Sequence, residues 1–270
     1  MRIALLVAVF CVSTLLSSAA QAPVSTNPQA LTLLQNALTA LSPNITTHDV
    51  TLTGSANYIA GSDNETGTGT LEAIATGASS VNLTLPSGSR TEVRNLTANP
   101  PTGTWSGPDG VNHLIVSHNL LNEPSWFAPA CAISRILVSS ESVASYVDAE
   151  TLESQSVQHV AVVQQPPATA FAPEIFPHLT QIDLYLDSST YLPAAMKFTI
   201  HPDDDELVDI PIEVRFSDYR TVNGTQIPFH VQRFLDNGLV LDLQFETAAI
   251  NSGLSPSVFA SQSLQAGDNR

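Results

Sequence analysis

Val208-Asp-Ile-Pro-Ile-Glu-Val-Arg-Phe-Ser217, with Ile227-Pro-Phe-His-Val231 and Leu239-Val-Leu-Asp-Leu-Gln-Phe-Glu246 after it, alternates apolar and polar side chains almost without a break. Val208, Ile210, Ile212, Val214 and Phe216 fall on one side, and Asp209, Pro211, Glu213, Arg215 and Ser217 on the other. Successive side chains of a strand point to opposite faces, so this period of two predicts strands with one apolar and one wet face. Asn223-Gly224 and Asn237-Gly238 are tight-turn dipeptides between successive strands and make the stretch a meander. Upstream, Ile182, Leu184 and Leu186 alternate with Asp183, Tyr185 and Asp187 in the same way. The apolar side of such a sheet must be covered. A second sheet would give a sandwich, and helices laid into a curved sheet would give a half-open barrel.

Two helical segments are available as cover. Asn27 can cap a helix over 28–41, Pro28 suits its first position, and Leu31, Leu34, Leu38 and Leu41 recur at helical spacing. A second segment over about 125–138 carries Phe127, Ile133, Ile136 and Leu137 at roughly helical spacing. Between them, Thr46 to Val116 is rich in Thr and Val and punctuated by turns such as Gly61-Ser62, Thr76-Gly77, Ser87-Gly88 and Asp109-Gly110, which predicts hairpins. Strands resume near 144–152 and 157–165. Pro166 to His178 holds four prolines and reads as a loop with room for one helical turn.

Met1-Arg2, the apolar run Ile3–Leu16 and Ser17-Ser18-Ala19-Ala20 describe a secretory signal peptide, with cleavage expected after Ala20. The run is too short to span a bilayer comfortably, and the mature chain has no transmembrane segment. The expected organisation is a signal peptide over 1–20, a polar lead-in over 21–26, a single β-rich domain over 27–260 and a flexible polar tail over 261–270. Localisation is therefore periplasmic or extracellular.

The formal net charge is −16, and loss of Arg2 with the leader makes it one unit more negative. Lys197 is the sole lysine. Nucleic acid is excluded as a partner, since that affinity comes from clustered Lys and Arg, and anionic membrane surfaces should repel the chain. Only Cys131 remains after cleavage, in the apolar setting Ala-Cys-Ala-Ile, so it reads as a small buried side chain. Asn44, Asn64, Asn82, Asn95 and Asn223 begin Asn-X-Ser/Thr triplets, which a bacterial envelope protein would leave unmodified.

No catalytic machinery is legible. Gly103-Thr-Trp-Ser-Gly107 puts its serine at the wrong place for a nucleophile elbow, and there is no phosphate loop and no His-Glu-X-X-His. His113 and His118 are five apart, on opposite faces of a strand, so they should not share a metal. His201-Pro-Asp-Asp-Asp-Glu206, with Asp203 among its acids, lacks the spacing and glycine of a calcium loop and reads as a solvated hairpin connection. No cofactor and no metal are expected.

The succession Asp183-Leu-Tyr-Leu-Asp187-Ser-Ser-Thr190-Tyr-Leu-Pro193, then Asp218-Tyr219 and Asn223-Gly224-Thr-Gln-Ile-Pro228-Phe229, resembles the family of outer-membrane lipoprotein-sorting carriers of the LolA and LolB type. The closing segment, Ile250-Asn251 through Leu254 to Phe259, resembles that family's ending. The mature chain also resembles secreted bacterial proteins of no known activity. The resemblance implies a mainly β (α+β) fold: a strongly curved antiparallel sheet, or half-open barrel, with two or three helices covering the concave face. It also implies an apolar cavity able to hold acyl chains, and hence a non-enzymatic carrier whose partner is a lipid or other apolar small molecule. No ligand-contacting residue of the carriers maps onto this chain. The cavity candidates are Ile133, Phe198, Ile212, Val214, Phe216, Phe229, Leu241, Leu243 and Phe245, with Trp126 and Phe127 as a lid or, alternatively, as ordinary core. A structural β-sandwich without a small ligand, and a hydrolase of unread site, are the competing expectations.

Overall fold

The computed structural model describes residues 26–167 and 172–260. The expected signal peptide, all of the lead-in but Thr26, and the polar tail lie outside these residues. In chain order the elements are α1 (Pro28–Leu41), β1 (Asp49–Ala60), β2 (Asp63–Ile74), β3 (Ala78–Leu85), β4 (Gly88–Asn95), β5 (Thr102–Ser106), β6 (Asn112–Leu114), α2 (Pro129–Val138), β7 (Ser142–Leu152), β8 (Gln155–Gln164), α3 (Phe176–Thr180), β9 (Ile182–Asp187), β10 (Pro193–Ile200), β11 (Ile210–Val222), β12 (Thr225–Leu235) and β13 (Gly238–Ile250), with 3-10 turns at His118–Leu121 and Pro256–Phe259.

All thirteen strands form one antiparallel, unclosed sheet in the order β6-β5-β4-β3-β2-β1-β13-β12-β11-β10-β9-β8-β7. Neighbouring strands are consecutive in the chain everywhere but at β1–β13, where Val50 lies opposite Ile250 and Tyr58 opposite Leu241. Two meanders thus meet edge to edge. The predicted turns hold: Asn223 and Asn237 both take left-handed φ, as the tight hairpins at Asn223-Gly224 and Asn237-Gly238 require.

The sheet must curl. β5 and β11 are seven strand intervals apart, about 34 Å if flat at roughly 4.8 Å per interval. Yet residues of both, Trp105 and Ile212, line one cavity. The turn at His118–Leu121 bridges the two arms. Asn119 O accepts from Arg94 Nη1 of β4 at 2.5 Å, and the Asn119 side chain exchanges hydrogen bonds of 2.7 and 2.9 Å with the His201 backbone beyond β10.

The concave face is filled by α1 and α2. Asn27 caps α1, its Oδ1 accepting from Gln29 N and Ala30 N, and the helix buries Ala30, Leu33, Leu34, Ala37 and Leu41. α2 buries Cys131, Ile133 and Ile136. One apolar cluster runs through both helices and the inner side chains of β1, β2, β3 and β8 to β13. This is the curved sheet with helical cover; no second sheet is needed. Burial, with Glu123 and Asp49 nearby, pushes the Cys131 thiol up to about 12, so it is no nucleophile.

The carrier-like motifs turn out to be structural. Asp187 Oδ1 accepts from Ser189 N, Ser189 Oγ, Thr190 N and Thr190 Oγ1 at 2.6–3.0 Å, and its Oδ2 from Gln155 Nε2 at 2.7 Å. Tyr219 donates to Pro193 O at 2.8 Å, tying β11 to the start of β10. The ending folds back over β1: buried Asp49 accepts from Ser252 N, Ser252 Oγ, Gly253 N and Leu254 N.

Desolvation raises the Asp187 carboxyl, but hydrogen bonds from Gln155, Ser189 and Thr190 outweigh it and hold the group well below the ordinary aspartate range. A depressed folded-state pKa contributes stability above the unfolded value, near 3.9, that is lost as pH falls through the folded value. Asp187→Asn should therefore be less stable than the parent at neutral pH and lose less stability below about pH 4. Equal acid limbs in urea titrations would show that Asp187 contributes nothing.

β7 and β8 each begin two residues earlier than expected, and two further boundaries bear on the site. β11 begins at Ile210, not Val208, which lies exposed in the acidic loop 201–209. α2 begins at Pro129, so Trp126 and Phe127 sit in the preceding turn; Pro129 fits only the first helical position, where no N–H is needed.

Candidate ligand-binding cavity

Alternation on β12 places Ile227, Phe229 and Val231 on the concave face, and the series continues to Arg233 and Leu235. A guanidinium thus occupies a position the pattern reserves for an apolar side chain. On β4 the same period puts Arg90, Glu92 and Arg94 opposite Leu83, Val81 and Ser79 of β3. The curl brings this charged row towards Arg233.

Between them opens a cavity of about 490 Å³, within the range of small-molecule sites. Val81, Leu83, Ile212, Leu235, Leu241 and Trp126 supply apolar walls, and Arg90, Glu92 and Arg233 supply charge. The Arg233 guanidinium lies 4.9 Å from the Trp126 ring centre and makes no hydrogen bond among the described residues. Burial pulls its pKa below the ordinary arginine value; Glu92 opposes this and Arg94 reinforces it. The Glu92 carboxyl is raised by burial, but Arg94, bonded through Nε at 2.7 Å, and Arg233 bring it below its usual range. Trp126 Nε1 and Arg90 Nε are buried without hydrogen-bond partners among the described residues. Arg90 also lies 4.5 Å over the Tyr58 ring and 3.9 Å from Glu65. Both tryptophans of the chain, Trp105 and Trp126, line the cavity.

All eleven sequence-predicted site residues are buried, and all belong to the same core cluster. Trp126, Ile212 and Leu241 reach the cavity wall. Phe198, again with Ile212, borders a polar groove of about 330 Å³ beside His178, and Phe229 and Phe245 border a polar recess beside Asp218 and Arg220. Phe127, Ile133, Val214, Phe216 and Leu243 line none of these openings and fill the core. Trp126 is a wall of the cavity, with Phe127 edge-on behind it at 5.3 Å. The sequence reading missed Arg90, Glu92 and Arg233, and the alternation of β4 and β12 was the signal that could have found them. A further recess, about 590 Å³, opens by Leu96 and Leu120, but its one cation, Arg135, is engaged by Glu123.

Solved structures share this fold at low sequence identity. An outer-membrane lipoprotein-sorting protein domain from Vibrio parahaemolyticus superposes with TM-score 0.52 at 12% identity, over 86% of this chain and 96% of that one. A LolA superfamily protein from Nitrosomonas europaea gives 0.53 at 12%, over 85% and 96%. A DUF1329 family protein from Desulfovibrio piger gives 0.53 at 12%, over 89% and 100%. At such identity the likeness is one of fold. No family model matches the sequence, and no curated protein matches it. Among the described residues no helix is long and apolar enough to cross a membrane.

Proposed function

We propose that this chain is an exported, non-enzymatic carrier or binding protein for a lipid or acyl-type ligand, with the acyl portion in the concave cavity and an anionic head against Arg233. The supporting observation is Arg233 itself: a half-buried guanidinium with no hydrogen-bond partner among the described residues, on the apolar face, at the wall of a cavity. Glu92 offsets its charge only at a distance, and a partly desolvated guanidinium whose hydrogen-bond donors are unmet costs stability, so a ligand that accepts from it accounts for the group best. In a chain of net charge −16, two arginines against the single carboxylate of Glu92 also leave the cavity wall locally positive, which favours an anion. The fold of the carriers agrees with this reading.

Titration of the mature protein with a long-chain fatty acid should change tryptophan emission saturably, since both tryptophans line the cavity. Arg233→Met should weaken binding about tenfold or more, the value of a charge-assisted hydrogen bond. It should leave stability unchanged or raised, and affinity for the uncharged methyl ester unaltered. Unperturbed emission at saturating ligand would remove the carrier reading in favour of a structural β-domain. Export rests on the Met1–Ala20 leader: amino-terminal sequencing should find Gln21 first, and a retained Met1 would overturn it.

A further inference from the structure

We propose a second, independent site: a transition-metal site of the zinc class formed by His178, His201 and Asp209. His178 lies on α3, His201 just beyond β10 and Asp209 just before β11, so residues from two separate parts of the chain converge. One ligand atom from each lies within 4.8 Å of the others. His178 Nε2 is 3.0 Å from Asp209 Oδ1, and His201 Nδ1 is 3.5 Å from the same oxygen. Ligands about 2.0–2.1 Å from a tetrahedral ion stand roughly 3.3 Å apart, so both spacings need only small adjustment. The His201 imidazole is fully buried, and its remaining nitrogen, Nε2, lies 3.4 Å from Thr199 Oγ1. Metal-bound imidazoles have such a partner for the second ring nitrogen, which fixes ring and tautomer. Two imidazoles and one carboxylate select zinc, nickel or copper over calcium and magnesium. Three protein ligands leave a fourth position for water or a small ligand, beside the polar groove that His178 and Asp209 border.

The resting tautomer of His201 is set by the loop. His201 Nδ1 lies 3.1 Å from the Val208 carbonyl, which can only accept, so Nδ1 carries hydrogen when no ion is bound. Coordination through Nδ1 requires the other tautomer: the ring hydrogen moves from Nδ1 to Nε2, where it faces Thr199, with no net change in protons on the ring.

The test is calorimetric titration of chelator-stripped mature protein with zinc chloride. One ion per chain is expected. His178→Ala and Asp209→Asn, at side chains 41% and 48% exposed, should leave the fold intact by circular dichroism and each weaken zinc binding at least tenfold. Millimolar calcium should not compete. The site is overturned if the parent binds no zinc, if both variants bind it unchanged, or if calcium displaces it, the behaviour expected of the neighbouring Asp203–Glu206 carboxylates. None of these outcomes bears on the fatty-acid titration.

Discussion

Arg135→Ala should lower the stability of this chain by about 3–5 kcal/mol, the cost of leaving a buried charge without its partner. Glu123 is 1% exposed, and its carboxylate performs two tasks. Oε1 accepts from Ser125 N at 2.9 Å, shaping the turn that presents Trp126, and Oε2 is bonded by the Arg135 guanidinium of α2. Without Arg135, the carboxylate must be buried unpaired, protonate, or pull the turn open to reach water. All three routes weaken the packing of α2 on the concave face. Replacing both partners removes the stranded charge, so Glu123→Gln with Arg135→Met should regain most of the loss. A shift in urea midpoint worth under about 1 kcal/mol for the single variant would show the pair to be solvated.

The sheet was legible because its signals are local. One residue type per face over Ile210–Phe216, and an Asn-Gly between strands, specify pairing without knowledge of anything distant. α1 was legible to the residue, since Asn27-Pro28 supplies both a cap and a fixed first φ. Val208 misled because alternation alone carries no stop signal. The strand begins later because Asp205, Val208 and Asp209 are taken up by the loop, where the Val208 carbonyl meets His201.

The sites were less legible for a physical reason. Arg233 and Glu92 are five strand intervals apart in the sheet, about 24 Å if it were flat. Only the curl, held by the Arg94–Asn119–His201 bridge, brings their charges into range. The metal ligands likewise come from α3 and from the two ends of one loop, with an unremarkable spacing. His201 was noticed only as the neighbour of an acidic run, whereas its burial is what gives it a chemical role. Asp187, Pro193 and Tyr219, which carried much of the resemblance to the carriers, make turn and strand contacts and line none of the cavities described above. A shared fold motif therefore pointed to the architecture correctly and identified no ligand contact.

The second large effect tests the faces of the sheet. Phe216 lies opposite Val231, Val231 opposite Leu243, and Leu243 opposite Ala56, so one row crosses four strands of the concave face. All four are core residues, and Phe216 is 6% exposed. Val231, Leu243 and Ala56 are paired on both sides and Phe216 is paired with Val231, so the row cannot easily collapse into a hole left by the ring. Phe216→Ala should therefore cost about 3–5 kcal/mol, the range for a buried phenylalanine whose cavity persists. Phe234 provides the control. It sits opposite Glu213 on the outer face, half-buried, with the Arg215 guanidinium 4.3 Å from its ring centre. Phe234→Ala should lose only that contact and partial burial, about 1 kcal/mol. The difference between the two variants, read from urea midpoints at constant m, isolates the face from the residue type. Equal costs would mean that the curled sheet does not shelter one side, and the cavity between its arms would lose its physical basis.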